Sequence, residues 1–176
     1  MHPIRQHCLA VTHTVPISAP DLCPALDRLT NLQAMTGYSG TTLAKKLGIK
    51  PGFVVRISHQ PGDLEVLTLI APLPEGARVT RRAGKHPPDV VLCFAETAAE
   101  LATRLPQALG WIAKEGSVWV CWPKMSSARF RTGVRDLTED TIRTAALAAG
   151  VVDVKVCAID DTWSGLKLVY RLTARK

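Results

Sequence analysis

The sequence predicts a three-layer α/β domain on a mostly parallel sheet, closed by a C-terminal antiparallel hairpin. Three observations carry that prediction. Asp89 to Phe94 and Ser117 to Trp122 are apolar at alternate and intervening positions alike, as strands covered on both faces must be. Between them Leu101, Leu105, Leu109 and Ile112 recur at helical intervals, so an amphipathic helix crosses from one strand to the next. At the end of the chain, Val152 to Ile159 and Leu166 to Leu172 are separated only by the turn Asp160 to Gly165, which requires a hairpin.

Taken in order, the chain begins with a proline-containing stretch of little periodicity (Pro3, Pro16, Pro20, Pro24). Residues 1–36 therefore read as a flexible N-terminal extension ahead of a single domain over 37–176. Met35 stands just before the first organised segment, so translation from that methionine is an expectation that the intact mass of the natively expressed protein checks. His2, His7, Cys8 and His13 lack a regular ligand spacing, and no metal site is expected.

Ser39 or Thr41 is placed to cap a short helix through Leu47, and Gly48 to end it. Pro51-Gly52 then turns the chain into a first strand, Phe53 to Ser58. Asp63 to Ile70 predicts a helix with Leu64, Leu67 and Ile70 on its inner side, stopped by Pro72 and Pro74. Ala77 to Ala83 alternates as an outer strand would. The crossover helix opens with the capping-box pair Thr97 and Glu100, and Pro106 predicts a kink or restart within it. Met125 to Arg135 reads as a polar loop, and Thr138 caps a last helix whose first turn holds Glu139 and Asp140 and which Gly150 closes.

A hydrophobic content of 47% excludes disorder throughout, and a net charge of +7 favours an anionic partner over a cationic one. The five cysteines form no CxxC pair, which excludes a disulfide or zinc framework. Cys93, Cys121 and Cys157 fall in predicted buried strands and behave as small hydrophobes, so a reducing, cytoplasmic location is expected. No apolar run approaches the ~20 residues of a membrane helix, and no membrane partner is expected.

The order of elements, with LGIKPGFVVRI, DVVLCF and IAKEGSVWV, resembles Rossmann-like class I methyltransferases. More specifically, YSGTTLAKKLGIKPG, the WPK after the central strand, DLTEDTIR and VDVKVCAIDDTWSGLKLV resemble an uncharacterised bacterial family, the domain of unknown function 3052. That resemblance implies a cytosolic single-domain protein of unestablished activity. It supplies no catalytic residue.

A nucleotide-type cofactor needs a glycine-rich turn after the first strand and an acidic residue ending the second. Here the turn Ser58 to Asp63 holds one glycine, and Arg81 and Arg82 stand at the second position. No cofactor is therefore expected, with S-adenosylmethionine as the alternative that the methyltransferase resemblance implies. Ligands of open α/β sheets collect at the carboxyl ends of the strands, which brings Ser58, His59, Glu96, Trp122 and Lys124 into consideration. Asp160, Asp161 and Trp163 form a second group in the hairpin turn, where an Asx-type turn is the structural alternative. Tyr38 and Ser39 are a third, with helix capping as the alternative. Arg129, Arg131 and Arg135 around Phe130 suit phosphate contact and base stacking. The reading is a non-enzymatic or degenerate member of the Rossmann-like methyltransferase fold, a small-ligand or protein-partner module around Trp122, Lys124 and the Trp163 turn without demonstrated catalysis. A divergent methyltransferase and a basic-surface nucleic-acid binder are the alternatives.

Overall fold

The computed structural model describes residues 40–82 and 84–171; the expected extension over 1–36, with Tyr38 and Ser39, lies outside them. The elements run α1 (Leu43–Leu47), β1 (Val54–Ser58), α2 (Val66–Leu69), β2 (Arg78–Thr80), β3 (Val90–Phe94), α3 (Ala98–Trp111), β4 (Ser117–Pro123), α4 (Ala128–Thr132), α5 (Glu139–Ala148), β5 (Val151–Ala158) and β6 (Trp163–Tyr170). They form the expected three-layer α/β architecture of Rossmann type.

The six strands lie in the order β2-β1-β3-β4-β6-β5. Pairing from β2 through β1 and β3 to β4 is parallel, while β6 runs antiparallel to both β4 and β5. The hairpin therefore folds inward. The reversed strand β6 is inserted beside β4, and β5, parallel to the rest, becomes the edge.

Alternation along β3 explains why its sequence is uniformly apolar. Val91 and Cys93 pack with Leu101, Leu105 and Leu109 of α3 and Ile142 of α5. Val90, Leu92 and Phe94 face the other way, toward Leu47 of α1 and Leu64, Val66 and Ile70 around α2. Each face of the central strands meets its own core, so there is no polar face to read in the sequence. Trp119 on β4 is fully buried, and its indole N–H donates to the Leu47 carbonyl at 3.0 Å, which satisfies its polar atom.

Several local expectations are corrected. Thr42 caps α1, its side chain accepting from the Lys45 N–H, while Gly48 ends the helix at φ 77 as expected. The second helix is only four residues long, and it buries Val66 while Leu67 is exposed, because the flanking turns bring Leu64 and Ile70 inward instead. Helix α3 runs through Pro106 without restarting. The stretch after β4 is a short helix capped by Ser127, and Phe130 is buried beneath it. Cys157 is only half-buried, unlike Cys93 and Cys121, because β5 is the edge strand.

Candidate functional site

The chain leaves β1 outward to β2 and returns past β1 to β3, so the strand order reverses between β1 and β3. A ligand crevice is expected at the carboxyl ends of those two strands. Here it is crossed by the protein's own ion pairs. Arg104 of α3 donates to the carbonyl of Phe94, the last residue of β3, at 2.9 Å and grips Glu100 with two bonds of 2.8 and 3.0 Å. Glu100 in turn accepts from the Glu96 backbone N–H at 2.7 Å, reaching one residue beyond the position a capping box uses. Arg129 of α4 pairs with Asp63 after β1 at 3.0 Å and with Glu96 after β3 at 3.4 Å, and its guanidinium lies 5.4 Å from the centre of the Trp163 ring. One arginine thus ties three loops across the crevice.

Trp122, Lys124, Asp160 and Trp163 are brought together, but as a joint. Trp122 is buried in the core under α3 and α5, and Trp163 in the opposite core, edge-on to Phe94 at 5.3 Å. Lys124 donates its backbone N–H to the Thr162 carbonyl at 2.7 Å and its ammonium to the Asp160 carbonyl at 2.5 Å. The Asp160 side chain accepts from the Thr162 and Trp163 N–H groups at 2.9 and 2.6 Å, the Asx-type turn considered from the sequence. Asp161 is exposed. These groups clasp the hairpin turn onto the end of β4.

The basic cluster after β4 is likewise partly committed to structure. Phe130 is buried, Arg129 is paired as described, Arg131 donates to the Ser126 carbonyl, and Arg135 donates to the Arg131 carbonyl at 2.6 Å.

His59 lies elsewhere, on a cleft of about 500 Å³ lined by Arg56, Ser58, Gln60, Arg81, Gln107 and Trp111 among others, with no carboxylate among the lining residues. Its backbone sits in the left-handed region at φ 56, and its Nδ1 is 2.7 Å from the Ser58 hydroxyl. Partial desolvation, then the Arg104 charge, lower its pKa below the usual histidine value, Glu100 opposing, so the ring is neutral at pH 7. Gln60 accepts from Arg81 at 3.2 Å and donates to the Leu64 carbonyl at 2.6 Å, holding the loop to the end of β2. The sequence reading missed Arg56, Gln107 and Trp111. The signal available was a charged residue in the middle of an apolar strand. Arg56 lies on the β1 face that contributes nothing to the core under α3, with its guanidinium 3.6 Å from the centre of the Trp111 ring.

No group of metal-ligating side chains occurs among the described residues, and no helix among them is long and apolar enough to cross a membrane.

A mostly parallel sheet with one reversed strand inserted near its end, and a switch-point crevice at its carboxyl edge, defines a protein of the Rossmann-like methyltransferase fold. The chain belongs to the family described as "Protein of unknown function (DUF3052)", which matches residues 44–172. Solved structures similar to it include a SAM dependent methyltransferase from Aquifex aeolicus, at 13% identity and TM-score 0.48, covering 70% of this chain and 85% of that one. Another is magnesium protoporphyrin IX methyltransferase from Synechocystis PCC 6803 with bound SAH, at 12% identity and TM-score 0.45, covering 83% and 94%. A third is a putative methyltransferase from Thermoplasma acidophilum, at 8% identity and TM-score 0.41, covering 70% of each chain. No curated protein matches the chain.

The residues present do not fit an adenosyl donor. The β1 turn carries Gly62 alone, Arg81 replaces the acid that would bind ribose hydroxyls, and Arg104 occupies the carbonyl at the end of β3.

Proposed function

We propose that this domain is a binding module on a methyltransferase-like fold, taking a small ligand in the cleft between the end of β1, Arg81 and the end of α3, without methyl transfer. The observation that carries the reading is the contrast between two neighbouring places. The crevice at the switch point is bridged by Arg129, and Arg104 occupies the carbonyl at the end of β3, whereas the cleft beside it stays open and polar. A volume of about 500 Å³ suits a ligand of metabolite size. This relocates the site from Trp122 and Trp163, whose rings are buried, and from Lys124, whose ammonium is bonded to the Asp160 carbonyl, to the loop that holds His59.

The second reading is a divergent methyltransferase, favoured by the inserted reversed strand β6. Melting temperature of the purified protein with S-adenosylmethionine, its demethylated product, dinucleotides and mononucleotides separates the two. A ligand at ~100 times its Kd adds about 2.7 kcal/mol, a rise of several degrees for a chain of this size. Stabilisation by a ligand other than the methyl donor, abolished by substitutions in the cleft, supports the module. A saturable shift with the methyl donor, accompanied by transfer of labelled methyl, overturns it.

A further inference from the structure

We propose that the ligand of this cleft carries a phosphate-type dianion, held by Arg56 and Arg81 with the Ser58 hydroxyl and the Gln107 amide as neutral donors; this deepens the binding-module reading and rests on it. Two arginines and no carboxylate line the cleft. Asp63, which follows the lining loop, is engaged by Arg129, and Glu100, whose charge reaches His59, is engaged by Arg104. Nothing acidic among the lining residues neutralises the pair, so the cleft attracts an anion.

Arg56 is the unusual member. A charged residue in mid-strand ordinarily finds a carboxylate or carbonyls, yet the Nε of Arg56 is buried with no hydrogen-bond partner. The indole of Trp111 holds the guanidinium from one face at 3.6 Å. Stacking fixes the plane of a guanidinium while leaving its in-plane donors for a planar or tetrahedral oxyanion, which is the geometry arginine uses for phosphate. Arg81 is steadied by a hydrogen bond instead. One of its donors is spent on Gln60 at 3.2 Å, and the fork offers four more.

The neutral groups fit the same ligand. With His59 as the Nδ1–H tautomer, the ring donates to the Ser58 Oγ at 2.7 Å and leaves the hydroxyl proton for the ligand at the end of β1, where the chain turns at positive φ. His59 resists protonation first because it is partly desolvated and second because Arg104 lies near, with Glu100 opposing, so the ring beside the hydroxyl stays neutral. The cleft is also much larger than a free phosphate, so the favoured class is a phosphate monoester with an organic body, whether nucleotide or sugar.

Isothermal titration of the whole chain with adenosine monophosphate, a hexose phosphate, inorganic phosphate and adenosine tests the proposal. Arg81→Gln removes one charge at an exposed position, and Arg56→Met keeps an unbranched side chain against Trp111; a single cooperative unfolding transition well above the titration temperature shows that both variants fold. The expected result is binding by at least one phosphate-bearing probe, none by adenosine, and at least a tenfold weaker Kd in each variant. Tighter binding of the nucleotide than of the hexose phosphate assigns a nucleoside body, and the reverse a sugar. Binding of adenosine as tight as that of its monophosphate, or phosphate binding unchanged in both variants, overturns the dianion while leaving a ligand-binding cleft. Saturable binding of a phosphate-free ligand alone does the same. Silence toward these probes and toward the wider ligand set overturns the dianion and the binding module together.

Discussion

Arg56 lies over Trp111, the guanidinium carbon 3.6 Å from the ring centre, at the one charged position of the central parallel strands β1, β3 and β4. The pair replaces a covering element. No helix occurs in the described part of the connection from β2 to β3, so the α3 face of β1 is covered instead by an arginine stem and the end of the crossover helix.

That stack is measurable. Trp111→Ala lowers stability by roughly 2 kcal/mol, from lost apolar burial and the lost cation–π contact. In a double-mutant cycle with Arg56→Met, urea unfolding returns a coupling of about 0.5–2 kcal/mol. Additive effects would show that the two side chains stand close without interacting.

Arg129 ties the loops after β1, β3 and β4, so Arg129→Ala costs about 1–2 kcal/mol and speeds amide exchange around residues 61–64 and 95–97. Asp63→Asn alone costs under ~1 kcal/mol, since that carboxylate is 68% exposed and its pairing is screened by water. Equal losses in the two variants would place all the tie in the Asp63 pair and none in Glu96 or Trp163.

Gly165 on β6 faces Ile159 and Trp119 closely enough that an added Cβ would sit 3.0 Å from the Ile159 Cδ1 and 3.1 Å from the Trp119 ring. Trp119 is anchored by its bond to Leu47, so the core yields little. Gly165→Ala is expected to lower the unfolding midpoint by the equivalent of about 1–3 kcal/mol. Gly62→Ala, with open space around the position, serves as the control and leaves it unchanged within ~0.5 kcal/mol.

Burial pushes the Cys93 thiol up from 9.0 to about 11, and that of Cys121 in the same direction. The unfolded chain loses these protons first as pH rises, so folding stability falls above pH 9. The contribution of Cys93 is complete below pH 9 and is lost between pH 9 and about 11, amounting to ~2–3 kcal/mol. Chemical unfolding of wild type and Cys93→Ala across that range should show a shallower decline in the variant. In the native protein at pH 8, half-buried Cys157 reacts with a thiol reagent before Cys93 or Cys121. Prompt modification of Cys93 would contradict its burial.

The sequence alone determined whatever depends on neighbours along the chain. Period and cap residues place the crossover helix at Thr97, the last helix at Thr138, and the αL end of α1 at Gly48. The uniform apolarity of β3 and β4 dictated two-sided burial, and the short turn at Asp160 dictated an antiparallel hairpin with an Asx cap. Only the tertiary structure decided what depends on distance through space. Trp122 and Trp163, ligand candidates at the strand end and hairpin turn in the sequence, are drawn into opposite cores because β6 inserts beside β4. Phe130 turns inward because Ser127 starts a helix there, and Arg129 bridges loops 66 residues apart in the chain. The cleft is the clearest case. Of its lining, His59 and Arg81 were visible as loop and strand-end residues. Arg56, Gln107 and Trp111 meet them only after β1 and α3 are packed, because a hydrogen bond or a stacked ring is set by the distance between elements, which no local pattern encodes.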